Sequence, residues 1–353
     1  MTAGGTRPQR ERPVTSPERS ADGPIYIGGL DRCGKTTMAA YLSSHSRIAI
    51  PSVGSNMWTY FYNQYGDLGD RANFERCLDA MLHYKHVRFL DPDEDRIRRE
   101  FARGPATYAR LFSLFLLHHS ERRGKPRWGA QTGLIERYGD ELFAAYPGVY
   151  VIHMVRDPRD RYEASIAKWP NGKGRAGGAA ARWLYSTALA ERHAARHPTR
   201  YRIVTFESLV TDTERTLREV CDFVGERFEP AMLSMDGHAK HRRLLAGESE
   251  RAAGTSLLSR DFIGGSRDRI PKAELAFLQL VAGRRMRTYG YALDDVELAA
   301  AERARFVVAD LPNQIARMAA WRGIEALQQR FPGRVRRRPG QRMIIGAERE
   351  DHR

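Results

Sequence analysis

Two stretches of the chain combine residue types and spacing suited to holding an anion. In the first, Ile25-Tyr26-Ile27-Gly28-Gly29-Leu30-Asp31-Arg32-Cys33-Gly34-Lys35-Thr36-Thr37, an apolar β-type run ends in paired glycines and enters a helix near Lys35. From Gly29 to Thr36 the spacing is G-x-x-x-x-G-K-[ST], a turn whose backbone N–H groups converge on one point. The helix N-terminus adds partial positive charge there, which favours phosphate or sulfate. Met38, Tyr41 and Leu42 continue with helical periodicity. The loop is read as the seat of a phosphate-bearing ligand.

The second stretch is Val149-Tyr150-Val151-Ile152-His153-Met154-Val155-Arg156-Asp157-Pro158-Arg159-Asp160-Arg161-Tyr162. Its seven leading residues read as a strand buried on both faces, hence a parallel sheet, with His153 packed mid-strand. Asp157 followed by Pro158 marks a helix start: a side-chain cap, then a residue with φ already set. Arg156 therefore stands at the carboxyl edge of a central strand, where open α/β sheets bind ligands. A guanidinium there grips phosphate with two prongs; pairing with a neighbouring carboxylate is its other available role.

The elements that must position these residues follow in order. Residues 1–23, rich in Arg, Pro, Thr, Ser and Gly, are expected to be a disordered leader. A helix runs to about His45, and Ile48 to Ile50 form a short strand. Residues 52–69 carry Trp58, Tyr60, Phe61 and Tyr62, which suit either a core or a substrate-facing loop. Helical periodicity over about 71–123, with Phe74, Cys77, Leu78, Met81 and Leu82 in one stripe, predicts a helical insertion over the sheet. A strand is expected at Arg127 to Thr132 and helices at Glu136 to Tyr146 and Ala179 to His197. Asn171 to Gly178 is a basic loop, either a lid or a connector. Residues 236–255 are small and polar. Beyond Asp294, Phe306, Val307, Ile315, Met318, Trp321 and Leu327 recur at helical intervals, so 293–333 is read as a helical extension and 334–353 as a basic flexible tail. The extension has three uses open to it: packing on the body, pairing in a homodimer, or lying on a membrane surface through the tail's arginines. The fold class expected is α/β: three layers, a central parallel sheet, a helical insertion and a helical C-terminal extension.

Formal charge is +15 over 353 residues, from 58 Lys and Arg against 43 Asp and Glu. Such a surplus suits anionic partners, but no helix-turn-helix, zinc-finger or aromatic-interleaved basic strand points to nucleic acid. Cys33, Cys77 and Cys221 lack metal-ligand spacing and fit a reduced, cytoplasmic setting. No run reaches membrane-spanning length; Leu111 to Leu117 reads as a buried helix.

Gly29-x-x-Arg32-Cys33-Gly34-Lys35-Thr36 and Val155-Arg156-Asp157-Pro158-Arg159-Asp160 together resemble the sulfotransferase family that uses 3′-phosphoadenosine 5′-phosphosulfate (PAPS). Tyr201 to Val210, with Thr216-Leu217 and Cys221-Asp222-Phe223-Val224-Gly225, is similar to that family's strand, acidic loop and capping helix. Gly283 to Tyr291 resembles its terminal helix. The resemblance covers roughly 24–292 and implies a P-loop-like fold. It further implies transfer of a sulfuryl group from PAPS to a hydroxyl or amine of a small-molecule, glycan or lipid acceptor, releasing adenosine 3′,5′-bisphosphate without a metal. It implies that the first loop, through Arg32, Cys33, Gly34, Lys35, Thr36 and Thr37, holds the 5′-phosphosulfate. Arg156 falls where the family binds the 3′-phosphate, and Ser259 to Arg269 where a loop closes over the nucleotide, with Arg260 and Arg267 as its cations.

Four departures stand out. The family's serine eight positions after the strand-edge Arg is Ala164 here, with Ser165 one step on, and one step turns a helix by ~100°. Lys35 replaces a residue that is usually Thr. Gly129-Ala130-Gln131-Thr132-Gly133 stands where a Lys-Thr pair is common. Ser52, Val53 and Gly133 occupy places where other members carry a catalytic Glu or His. Leaving-group charge can be met by Arg32, Lys35 and the loop amides, but the acceptor proton needs a base. Asp79 and His83 share a helix face at i, i+4 and are the paired expectation; His86 and Glu136 are further candidates. Two other readings remain open. A P-loop kinase is suggested by the loop and by Asp160-Arg161-Tyr162, and needs Mg²⁺. A non-catalytic nucleotide-binding relative is the other.

Overall fold

The computed structural model describes residues 23–172, 174–237, 260–265, 267–331, 339–340 and 343–345. The leader expected at 1–23, apart from Gly23, most of the polar stretch at 236–255, most of the tail and Ser259 lie outside them.

Five strands form one sheet in the order β2-β3-β1-β4-β5, every adjacent pair parallel. They are β1 (Ile25–Gly29), β2 (Ile48–Ala49), β3 (Arg127–Gln131), β4 (Tyr150–Val155) and β5 (Tyr201–Thr205). Side chains alternate across the pleat. Ile25, Ile27, Tyr150, Ile152 and Met154 enter one core with Met38, Leu42 and Leu217. Tyr26, Ala130, Val151 and Tyr201 enter the other with Leu78, Phe112 and Phe115. Helices therefore cover both faces, which is why the strands read as continuous apolar runs. The fold is α/β, with three layers.

On the first face lie α1 (Lys35–Ser43) and, later in the chain, a helix pair (Phe206–Thr211 and Thr213–Val224). The insertion supplies α2 (Arg71–Leu82), α3 (Glu94–Phe101) and α4 (Tyr108–Glu121) on the second face. Asp70, Asp93 and Thr107 cap these three through their side chains. Trp58 and Phe61 are buried, Trp58 packing against Tyr62 and Phe112. Trp58 and Phe61 are core, and Tyr60 and Tyr62 are half-buried against it.

β4 leads through Asp157 into α5 (Pro158–Lys168), followed by the long α6 (Ala176–Arg196). Asp157 accepts from the Arg159 N–H at 2.9 Å, the cap its sequence announces. After α7 (Lys272–Thr288), the extension forms Ala300–Arg305, a wide π-type turn at Phe306–Asp310, and α8 (Leu311–Arg330). This last helix packs on α6: the Gln314 side chain accepts from Gly177 N–H at 2.7 Å and donates to the Gly174 carbonyl at 3.1 Å. A Cβ at Gly177 would lie 2.0 Å from the Gln314 oxygen, so only glycine permits this approach. Of the stretch expected to be a loop at 171–178, Ala176 onward already belongs to α6, and Gly174 and Gly177 are tied to the extension through Gln314.

His119 on α4 carries a pH dependence. It is buried, and the Arg123 guanidinium, a donor only, sits 3.3 Å from its Nδ1. Burial first, then Arg123 and Arg122, push its pKa down to about 3. The unfolded chain takes up this proton near pH 6.5 and the native chain does not. Stability is therefore complete above that pH and falls as pH drops toward about 3. Urea melts at pH 7 and 5 are expected to differ by about 2 kcal/mol from this residue, and His119→Gln is expected to remove that share.

Candidate active site: the phosphate loop and its cleft

The loop after β1 is shaped by two glycines. Gly29 has φ +104°, and a Cβ there would fall 2.2 Å from the Met154 carbonyl oxygen on β4. Gly34 has φ +88° and lies against the Phe206 ring, where a Cβ would approach to 2.5 Å. Gly34 is also the residue capping α1, and it has no side chain to give; nor does the first turn carry an acidic residue. The leading N–H groups of α1 thus lack the internal acceptor most helices provide. An anion is the natural partner for such an end.

The strand edges bring the two expected cations together. β1 and β4 are neighbours, with Gly29 opposite Met154. Arg156 leaves the end of β4 and donates from Nη1 to the Arg32 carbonyl at 3.2 Å and from Nη2 to the Phe262 carbonyl at 2.6 Å. Its guanidinium lies over the Phe206 ring, 4.6 Å from the centroid, and its carbonyl accepts from the Trp183 indole at 2.9 Å. Arg156 is buried, yet its Nε–H has no acceptor among the described residues. Arg32 is exposed, has φ +64°, and its side chain makes no ion pair or hydrogen bond among the described residues. Partial burial and then the nearby Arg156 charge lower its pKa. Two guanidiniums in mutual repulsion, one with an orphaned buried N–H, make a site suited to a multiply charged anion.

The loop's other members are held by specific partners. Lys35 Nζ donates to the Leu30 carbonyl. Burial pushes its pKa down while Cys33, Asp31 and Glu136 favour the charged form. Thr36 donates from Oγ1 to Gln131 Oε1 at 3.2 Å, and Gln131 donates to the Pro51 carbonyl at 3.1 Å. Thr37 and Cys33 are buried. Asp31 pairs with Arg161 at 2.8 Å and accepts from Ser165 at 3.2 Å. Although burial raises the Asp31 pKa, Arg161 and Lys35 hold it well below the usual carboxylate range.

Other sequence candidates fall elsewhere. Ser165 faces Asp31, not Arg156, because it shares a helix face with Arg161 four residues earlier. Arg267 commits its guanidinium to Asp160 at 2.8 Å, Asp294 at 2.9 Å and Asp157 at 3.1 Å. It clamps α5 to the following segment and is not free to meet a nucleotide. Arg260 is exposed, at the start of the turn that presents the Phe262 carbonyl to Arg156. Asp79 and His83 do pair, at 3.5 Å, but on the exposed outer end of α2, and neither lines the cleft beside the loop. Glu136 is buried, bonded by Ser186, with His153 at 3.7 Å from its other oxygen. It is sealed away from any acceptor.

A cleft of about 710 Å³ opens from Asp31, Lys35 and Thr36. Tyr60 and His86 form one wall, Arg137 and Arg182 another, and Trp321, Ile324 and Gln328 of α8 close it over. Glu325 anchors that helix through Arg137 at 2.5 Å. His86 Nδ1 lies 2.5 Å from the Gly54 carbonyl, which only accepts, so Nδ1 carries the proton and Nε2 the lone pair. Burial lowers the His86 pKa, partly opposed by that bond, and keeps the ring neutral at pH 7. His86 was visible in sequence as one histidine among several; no spacing distinguishes it. Arg182 had a faint signal, a lone cation following Ala179, Ala180 and Ala181.

A family model described as the sulfotransferase family matches residues 24–230, more than half of the chain. No curated protein matches it. Among solved structures, the sulfotransferase domain from the Synechococcus PCC 7002 olefin synthase is 17% identical, with 77% of this chain and 97% of that one covered and a TM-score of 0.47. The sulfotransferase domain from the curacin biosynthetic pathway is 16% identical over 77% of this chain and 99% of that one, TM-score 0.47. Sulfotransferase STF9 from Mycobacterium avium is 13% identical over 77% and 78%, TM-score 0.44. On the strength of the family model and its coverage, this chain belongs to the sulfotransferase family.

Proposed function

We propose that the protein transfers a sulfuryl group from PAPS to a hydroxyl or amine of a small-molecule, glycan or lipid acceptor, in the cytoplasm. The observation that carries the donor assignment is the junction of Arg32 and Arg156 beside the uncapped start of α1. One end of a bisphosphorylated adenosine meets the loop and the other meets the orphaned Nε–H of Arg156.

In this reading the N–H groups at the start of α1, with Lys35 and Arg32, face the phosphate oxygen that gains charge as the S–O bond breaks. His86 Nε2 takes the proton of the acceptor as the new bond to sulfur forms, then returns it to solvent. His86 replaces the Asp79–His83 pair in this role because it alone of the three lines the cleft.

The kinase reading needs an acidic side chain free for Mg²⁺ at the strand end. Asp157 there is occupied by Arg159 at 2.7 Å and Arg267 at 3.1 Å. Among the described residues no helix is long and apolar enough to cross a membrane, and the three cysteines are free and buried. Calorimetry separates the readings. With EDTA present, adenosine 3′,5′-bisphosphate is expected to bind; binding only of ATP, and only with Mg²⁺, would overturn the donor assignment.

A further inference from the structure

Asp31 is answered by Arg161 at 2.8 Å, and Glu325 by Arg137 at 2.5 Å. Lys35 donates to the Leu30 carbonyl at the foot of the loop. Arg182 lines the same cleft with neither an ion pair nor a hydrogen bond among the described residues. Its helix cannot turn it away: Trp183, the next residue, is buried and bonded to the Arg156 carbonyl at 2.9 Å, which fixes the rotation of α6. One turn earlier the helix has Gly178 and Ala179, too small to cover the guanidinium.

Arg182 is exposed in the cleft, and the two carboxylates that act on it, Asp31 and Glu325, are already paired with Arg161 and Arg137. Partial desolvation in the cleft, then the Arg161 charge, lower its pKa, with Asp31 and Glu325 opposing. The natural partner of a guanidinium left without one is an oxyanion, and Lys35 and Thr36 of the loop that starts α1 line the same cleft.

We propose that Arg182 is a catalytic residue that holds the sulfuryl oxygens of the donor, on the acceptor side of the loop, through a two-pronged charge-assisted contact. This rests on the PAPS reading above. During transfer the sulfur leaves the donor phosphate oxygen and bonds the acceptor oxygen or nitrogen, and its three terminal oxygens carry the group's negative charge on donor and product alike. Arg182 meets those oxygens before, during and after the step, whereas Arg32 and Lys35 meet the phosphate left behind. Arg182 thus orients the group toward the acceptor atom that His86 deprotonates, without itself exchanging a proton.

The assignment separates two ligands that differ by one group. Adenosine 3′,5′-bisphosphate lacks the sulfuryl; PAPS has it. In full-length Arg182→Ala, affinity for PAPS is expected to fall roughly 10- to 100-fold, as for loss of a charged hydrogen-bond pair. Affinity for the bisphosphate is expected to stay within about twofold, and that binding is itself the control for folding. Arg182→Lys keeps the charge but not the fork and is expected to lie between. An unchanged ratio of the two affinities in Arg182→Ala would overturn the assignment and leave the donor reading standing. A parallel loss of both would overturn it too, making Arg182 part of the nucleotide site or the fold. If the unaltered protein binds neither ligand, the donor reading falls and this assignment with it.

Discussion

Arg32→Gly is expected to lower kcat by about 10²- to 10³-fold, the scale seen when one preorganised donor to developing charge is removed. Arg32 is held with φ +64° between Gly29 and Gly34, a region glycine enters freely and a side chain enters at a cost. The side chain makes no hydrogen bond or ion pair among the described residues that would repay this strain. Glycine therefore relieves the backbone, and the melting temperature is expected to hold or rise by the equivalent of up to ~1 kcal/mol. Arg32→Ala keeps the strain and is expected to be as inactive but less stable than the glycine variant. Arg32→Lys is expected to recover part of the rate, since a charge returns without the fork. Full activity in Arg32→Gly would remove this residue from the chemistry.

His86→Gln is the second large effect. The glutamine side chain can still donate to the Gly54 carbonyl, so the wall keeps its shape, but it offers no base. A loss of about 10²- to 10⁴-fold in kcat is expected, with nucleotide affinity unchanged. The pH profile is the sharper readout. With burial as the main cause, the His86 pKa lies below its ordinary value. The base is then fully available at pH 7, and kcat/KM falls only as pH drops below about 6.5. That acid limb is expected to vanish in His86→Gln. His83→Gln, on the exposed end of α2, is expected to leave both rate and profile in place. The reverse pattern, with His83 essential and His86 dispensable, would return the base to the pair read from sequence.

What could be read in the sequence was whatever is contiguous along it. The loop from Gly29 to Thr37 and the strand edge at Arg156 each combine a strand, a turn and a helix start, and these follow from local rules. The parallel sheet followed from runs such as Tyr150–Val155 whose two faces both need cover. The cleft is different, because its walls come from segments far apart in the chain. His86 arrives from the insertion, Arg182 from α6, and Trp321, Ile324 and Gln328 from α8, beyond the 24–230 stretch that carries the family match. No spacing relates these residues, so only their packing brings them together. Arg267 illustrates the opposite case. As a cation in a basic loop it reads as free, and its three carboxylate partners, Asp157, Asp160 and Asp294, could not be inferred from proximity in sequence.

α8 adds a consequence for the acceptor. Its Glu325 is buried against Arg137, and losing one member of such a pair leaves the other uncompensated. Glu325→Ala is expected to loosen the helix from the cleft, seen as faster amide exchange across 311–330, with affinity for adenosine 3′,5′-bisphosphate unchanged. Unaltered exchange would mean that Gln314 and its partners hold the helix alone.

The central claim is that the loop and the strand-edge arginine clasp opposite ends of one nucleotide. Its most direct test is the affinity of adenosine 3′,5′-bisphosphate relative to adenosine 5′-monophosphate, measured without Mg²⁺ in the unaltered protein and in Arg156→Ala. The unaltered protein is expected to prefer the bisphosphate by roughly 10- to 100-fold, the worth of charge-assisted hydrogen bonds to one phosphate, and Arg156→Ala to bind the two about equally. Equal binding by the unaltered protein, or a preference that survives in Arg156→Ala, would contradict the claim.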